Sequence, residues 1–203
     1  MAKGSDRRAH ILKCAARVFL ELGFDATSMN LVAERAGVTK PGLYYHFESK
    51  ADLLFSIMSY AMDVIEKQTM EATVGESDSE ARLRRIVHKH ARTITEEEGG
   101  SFTMLVIDET NALSRNDHRI INHRKRAYFE VIRGLLVDLK IQGILRDVDP
   151  TVASFSLLGT IMWITKWFEP GGRLSGREVA QQVAELALAS VLREAPIPAG
   201  DLL

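Results

Sequence analysis

The chain has 203 residues, of which 46% are hydrophobic, 26 are Lys or Arg, 27 are Asp or Glu and one is Cys. That balance suits one or two globular domains rather than a disordered chain, one cysteine cannot form an internal disulfide, and no apolar run reaches the roughly 18 residues that a membrane span needs. The net charge of −1 is uneven: residues 1–50 carry eight basic against five acidic side chains, a local +3 that leaves −4 for the rest, so an anionic partner is favoured at the N-terminal end.

In chain order, the elements read as helices. Residues 6–22 place Ile11, Leu12, Ala15, Ala16, Val18 and Phe19 at helical spacing, and Gly23 ends the run. A short second helix follows the Thr27-Ser28 hydroxyls and runs through Met29, Leu31, Val32 and Ala33 towards Gly37. A third spans Lys40 to His46, and Ser49 opens a longer one through Leu53, Leu54, Ile57, Met58, Ala61 and Ile65. Ser77–Glu80 and Ser175–Glu178 fit capping boxes, Asp149-Pro150 fits a cap followed by Pro, and Gly99-Gly100 and Pro170-Gly171-Gly172 interrupt the pattern. About nine helices and no strand make the expected class all-α. An N-terminal unit at 5–65 and a helical body at 66–203 are the expected domains.

Helix 2, the Gly37-Val38-Thr39 turn and helix 3 read as a helix-turn-helix over residues 28–47, with helix 3 positioned for a DNA major groove. Pro41 and Gly42 bring little bulk to the groove, Tyr44 and Tyr45 are long and stiff with hydroxyl tips, and Leu43 and Phe47 read as core. Lys50 is placed for a phosphate contact.

The run ATSMNLVAERAGVTKPGLYYHFESKADLL resembles the DNA-binding segment of the tetracycline-repressor (TetR-type) family of bacterial regulators, over about Asp6 to Ile65. The resemblance implies that Ser28, Tyr44 and Lys50 contact phosphates, that Asn30, Lys40, Pro41, Gly42 and Tyr45 face bases, and that His46 does either. It also puts Thr27 and Thr39 at the DNA surface. It further implies a dimer on a palindromic operator, a small hydrophobic effector held in the body, and a cytoplasmic setting, which the single Cys14 also favours. Neither a cofactor nor membrane association is expected.

Two parts of the body stand out. Val179, Val183, Leu186, Ala187, Ser190 and Val191 form a stripe at spacings of three and four, read either as a dimer contact or as intrachain core. Trp163 and Trp167 lie four apart, beside Phe168, and make either interface core or one wall of a ligand pocket. That segment resembles the Trp-x-x-x-Trp-aromatic-x-Pro-x-Gly signature of acyl-CoA-responsive members of the same family, with Lys166 and Glu169 where an arginine often stands. Phe102, Leu105 and Val106 are expected to complete the wall, with Lys166 and Arg92 meeting an acidic group. Arg124-Lys125-Arg126 reads as a solvated face. His88 and His90 point roughly 200° apart on a helix, so they share no metal, and no phosphate-cradling loop or nucleophile elbow supports an enzyme. The competing class is a helical binding protein whose basic end meets a membrane surface or a partner.

Overall fold

In the computed structural model of the chain, residues 2–95, 102–103, 105–106 and 112–193 are described, residues 2–6 by their backbone alone. These residues form eight helices and one short helical turn: α1 (Ala2–Leu22), α2 (Met29–Arg35), α3 (Lys40–His46), α4 (Lys50–Thr73), α5 (Ser79–Thr95), α6 (Arg115–Ile141), α7 (Pro150–Met162), the turn α8 (Ile164–Trp167) and α9 (Gly176–Val191). The expected all-α class holds, and the only extended pairing among the described residues is one antiparallel bridge between Leu145 and Leu192. No helix among them is long and apolar enough to cross a membrane.

Local chemistry sets most boundaries. Ser28, Thr39 and Ser49 each accept a backbone N–H two or three residues into the helix they open. Ser175 and Glu178 form the expected capping box, and Asp149 caps α7 ahead of Pro150. The box expected at Ser77–Glu80 is replaced by a simpler cap, in which the Asp78 carboxylate accepts the Ala81 N–H at 2.8 Å. Gly23 (φ 80°) and Gly37 (φ 62°) occupy left-handed conformations that end α1 and turn the chain from α2 into α3. The break expected at Gly99-Gly100 lies outside the described residues.

Two apolar clusters organise the chain. The N-terminal one gathers Ile11, Leu12, Phe19, Val32, Leu43 and Phe47 around the first half of α4, where Leu53, Leu54, Ile57 and Met58 are fully buried. The second packs α5, α6, α7 and α9 around the far end of α4, beginning at Ile65. The domain boundary placed at 65/66 therefore falls inside a helix that both clusters share. Phe102, Leu105 and Val106 pack into the N-terminal cluster, although they come from the body.

The α9 stripe divides. Val179, Ala187 and Val191 are buried inside the body cluster and Val183 packs against it, while Leu186 is 69% exposed and Ser190 faces outward. As a dimer contact the stripe is thus corrected for its buried members, which are intrachain core. Ala184, fully buried, belongs with them.

This division predicts opposite outcomes at adjacent positions. Ala187→Glu forces an unpaired carboxylate into the core and should cost at least about 4 kcal/mol. Leu186→Glu should keep a folded protomer, with a change within about 1 kcal/mol. Urea titrations followed by circular dichroism distinguish the two.

Candidate functional site

The helix-turn-helix is built on burial of one side of α3. Leu43 and Phe47 are sealed in the N-terminal cluster, at 0% and 1% exposure. One helical turn relates Lys40 to Tyr44 and Pro41 to Tyr45, and these four form the exposed face. Tyr45 is 86% exposed, more than any other large apolar or aromatic side chain among the described residues, and packs edge-on against His46 at 5.1 Å between ring centroids. Gly42 sits tight under the N-cap: a Cβ there would lie 3.0 Å from the Thr39 hydroxyl oxygen, which accepts the Gly42 N–H at 3.1 Å. Asn30 and Ser28 are exposed beside this face.

Two residues expected at the DNA surface hold other positions. Thr27 is buried, and its hydroxyl donates to the Gly23 carbonyl at 2.8 Å, so it braces the α1–α2 loop from within. The Lys50 ammonium donates to the Phe24 and Asp25 carbonyls at 2.6 and 3.1 Å and lies 4.4 Å from the Phe24 ring centre. It ties the start of α4 to the end of α1. The packing of α1 and α4 brings these carbonyls, 25 and 26 residues back, within reach of the ammonium, and they take it in place of an outward contact.

A cavity of about 570 Å³ opens in the body, in the size range of small-molecule sites. α4 contributes Met62 and Ile65, α5 His90, α6 Asn122, Lys125, Arg126, Tyr128, Phe129 and Glu130, and α7 Phe155, Leu158 and Met162. Of the residues expected to wall a pocket, only Val106 lines it. Phe102 packs at a tilt against Tyr60 and Leu105 is sealed in the N-terminal cluster. Trp163 and Trp167 are 64% and 50% exposed on the outer surface, because α7 ends at Met162 and the chain turns there. Phe168 packs against the body cluster instead. Lys166 and Arg92 are likewise absent from the lining, and the cations present are Lys125 and Arg126.

The basic triplet on α6 separates into three roles. Arg124 is turned towards α4, where its guanidinium meets Glu66 at 2.7 and 2.8 Å, Asp63 at 2.6 Å and the Ser59 carbonyl at 3.2 Å. Lys125 is half-buried and donates to the Val106 carbonyl, and its burial lowers the ammonium below the ordinary lysine value. Arg126 is exposed at the cavity rim. Arg115 and Arg119 precede it at helical spacings that keep all three on one face.

Deeper in, His90 and Tyr128 form a buried pair, the Tyr128 hydroxyl 2.8 Å from His90 Nδ1 with the rings edge-to-face. His90 Nε2 is buried and has no hydrogen-bond partner among the described residues. Desolvation lowers the His90 pKa from 6.5 to about 4 and pushes the Tyr128 phenol up, so both are neutral at pH 7. Pairwise sequence spacing missed this dyad because its members are 38 residues apart.

The titration has a stability consequence. As pH falls through 6.5 the unfolded chain binds a proton at His90 that the folded chain refuses until about pH 4. Folding stability therefore declines over that window, by about 3 kcal/mol in total. His90→Phe should flatten the acid limb of a stability–pH profile measured by urea denaturation between pH 7.5 and 4.

A helix-turn-helix with an exposed recognition face, joined through α4 to a helical body, defines a DNA-binding transcriptional regulator. The chain belongs to the tetracycline-repressor family of bacterial regulatory proteins. The description "Bacterial regulatory proteins, tetR family" matches residues 11–57, and "Tetracyclin repressor-like, C-terminal domain" matches residues 76–191. Over 187 residues it is 28% identical to the HTH-type transcriptional repressor KstR2 of Rhodococcus jostii (strain RHA1), covering 91% of this chain and 90% of that one. AibR, solved in complex with isovaleryl coenzyme A and operator DNA, shares 33% identity and a TM-score of 0.78, over 89% of this chain and 97% of AibR. KstR2 of Mycobacterium tuberculosis, at 24% identity over 93% of this chain and 96% of that one, has the same fold with a TM-score of 0.83.

Proposed function

We propose that the protein is a cytoplasmic, homodimeric repressor that grips a palindromic operator through paired α3 helices and releases it when an acyl-CoA thioester enters the body. The observation that carries this reading is the cavity itself. It is largely apolar inside, it carries Arg126 at its rim, and it is lined in part by α4, the helix that also supports the DNA-binding unit. A thioester fits that polarity, with the acyl chain among Met62, Ile65, Leu158 and Met162 and the nucleotide phosphates outside, along Arg126, Arg119 and Arg115. The AibR complex supports the ligand class, and KstR2 supports repression.

The dimer reading rests on the outer face of α7 and α9. Val152, Phe155, Ser156, Gly159 and Thr160 on α7 and Trp163 at its C-cap recur at helical spacing, with Val152, Phe155 and Trp163 each more than half exposed. Leu186 and Ala189 are exposed on α9. Gly159 and Ser156 let a second helix approach closely, and a self-complementary four-helix contact between two copies would cover the aromatic groups. Phe155 belongs both to this face and to the cavity lining, which links ligand and partner.

On the DNA side, Lys40 and Tyr45 are the base-facing groups and Tyr44 a phosphate-facing one. Lys40→Ala should narrow the gap between operator and random DNA by about 1–3 kcal/mol. Tyr44→Phe should weaken both alike. Gel-shift titrations across a salt series read the difference, and equal effects of both variants on the two DNAs would refute the assignment.

On the ligand side, isovaleryl-CoA should displace the protein from its operator. Arg126→Glu should raise the thioester concentration needed about tenfold or more, by placing a like charge beside phosphate, while leaving operator affinity without ligand unchanged. Fluorescence anisotropy of labelled operator measures both quantities, and release that ignores the substitution would remove the phosphates from this rim.

A further inference from the structure

Among the described residues, His90 lines the cavity and carries a buried polar atom with no hydrogen-bond partner, Nε2, on a side chain only 5% exposed. Its protonation follows from its neighbour. When the Tyr128 hydroxyl donates to Nδ1, the hydroxyl proton is satisfied and the imidazole proton sits on Nε2 as a single orphan donor. The opposite tautomer leaves two groups unmet, the hydroxyl proton and the Nε2 lone pair. An unmet buried donor costs more than a typical hydrogen bond returns, so the first arrangement is preferred. The imidazole is neutral, which suits an uncharged acceptor in an apolar surround better than a carboxylate.

We infer that His90 is a specificity-determining residue of the cavity: its Nε2–H donates to an uncharged carbonyl oxygen of the effector, oriented by Tyr128. This rests on the cavity being the effector site. The carbonyl has two chemical sources, the thioester itself or a ketone further along the acyl chain, and both present the same acceptor. Met62, Ile65 and Met162 line the same space with apolar side chains, and among its polar lining residues Asn122 and Glu130 are exposed and Lys125 is held by the Val106 carbonyl. His90 thus separates acyl ligands from alkyl ligands of equal size, a distinction that apolar walls make poorly.

Three probes divide the possibilities by calorimetry: isovaleryl-CoA, the 3-methylbutyl-CoA thioether that lacks the carbonyl, and a thioether carrying a ketone one methylene beyond sulfur. The wild-type protein should bind at least one carbonyl probe about tenfold more tightly than the plain thioether. Whichever carbonyl probe gains identifies the source. In His90→Phe all three should bind within about twofold of one another. If that variant does not fold, His90→Phe with Tyr128→Phe, which orphans neither polar group of the pair, replaces it. The infrared stretch of the bound carbonyl, labelled with carbon-13, should fall in the wild type and return in the variant, a change that packing alone would not produce. Equal binding of all three probes in the wild type, or discrimination that survives the variant, would overturn the inference. A ketone outside the CoA class, 4-tert-butylcyclohexanone, is compared with tert-butylcyclohexane. If no CoA probe binds but this ketone is preferred and loses its advantage in His90→Phe, the thioester reading fails and the His90 assignment stands. If neither series discriminates, both fail.

Discussion

The arrangement depends on α4 being one uninterrupted helix. Its 24 residues extend about 36 Å at the usual rise, long enough to carry two separate cores. The first half buries Leu53, Leu54, Ile57 and Met58 among α1, α2 and α3, and Ile65 and Ala72 belong to the body. A packed helix moves as a unit more readily than it bends. Any displacement of its body end is therefore delivered to the recognition helix. Arg124 fixes the side-on position of that lever by holding Asp63, Glu66 and the Ser59 carbonyl from α6, the helix that also supplies most of the cavity lining.

This gives a physical route from ligand to DNA in the proposed mechanism. A ligand between α4, α5, α6 and α7 presses on Met62 and Ile65 directly and shifts α6 under Arg124. The effect on operator affinity is limited by the ligand's differential affinity for the two conformers; about 3 kcal/mol corresponds to roughly 150-fold. In the proposed dimer Phe155, shared by cavity and outer face, would give the partner protomer a second means of sensing occupancy.

The DNA-binding unit was legible in the sequence because its determinants are local. Gly37 imposes the turn, Thr39 caps, Pro41 starts α3, and Leu43 and Phe47 are one turn apart. Lys50 was misplaced there because its alternative partners, the carbonyls of Phe24 and Asp25, become visible only once the end of α1 and the start of α4 are brought together. Thr27 turns back onto the Gly23 carbonyl four residues earlier, a local bond that its place before an N-cap did not reveal. The body was less legible. On α9 two apolar stripes lie side by side, and spacing alone does not say that Ala187 points inward while Leu186 points outward. Three consecutive basic residues on α6 project about 100° apart, so they were bound to meet three different surroundings. The tryptophans read as a wall because the end of α7 at Met162 has no strong breaker before it.

The most direct measurement is the distance between the two recognition helices of the proposed dimer. Spin labels at Glu48→Cys, in a Cys14→Ala background, would report it by pulsed electron resonance without DNA. The account predicts separations clustered near the roughly 34–36 Å of one DNA turn in the free protein. Isovaleryl-CoA should shift that distribution, and Arg124→Met should leave ligand binding intact but reduce the shift. A ligand that binds and releases operator while the distribution stays unchanged would contradict the lever.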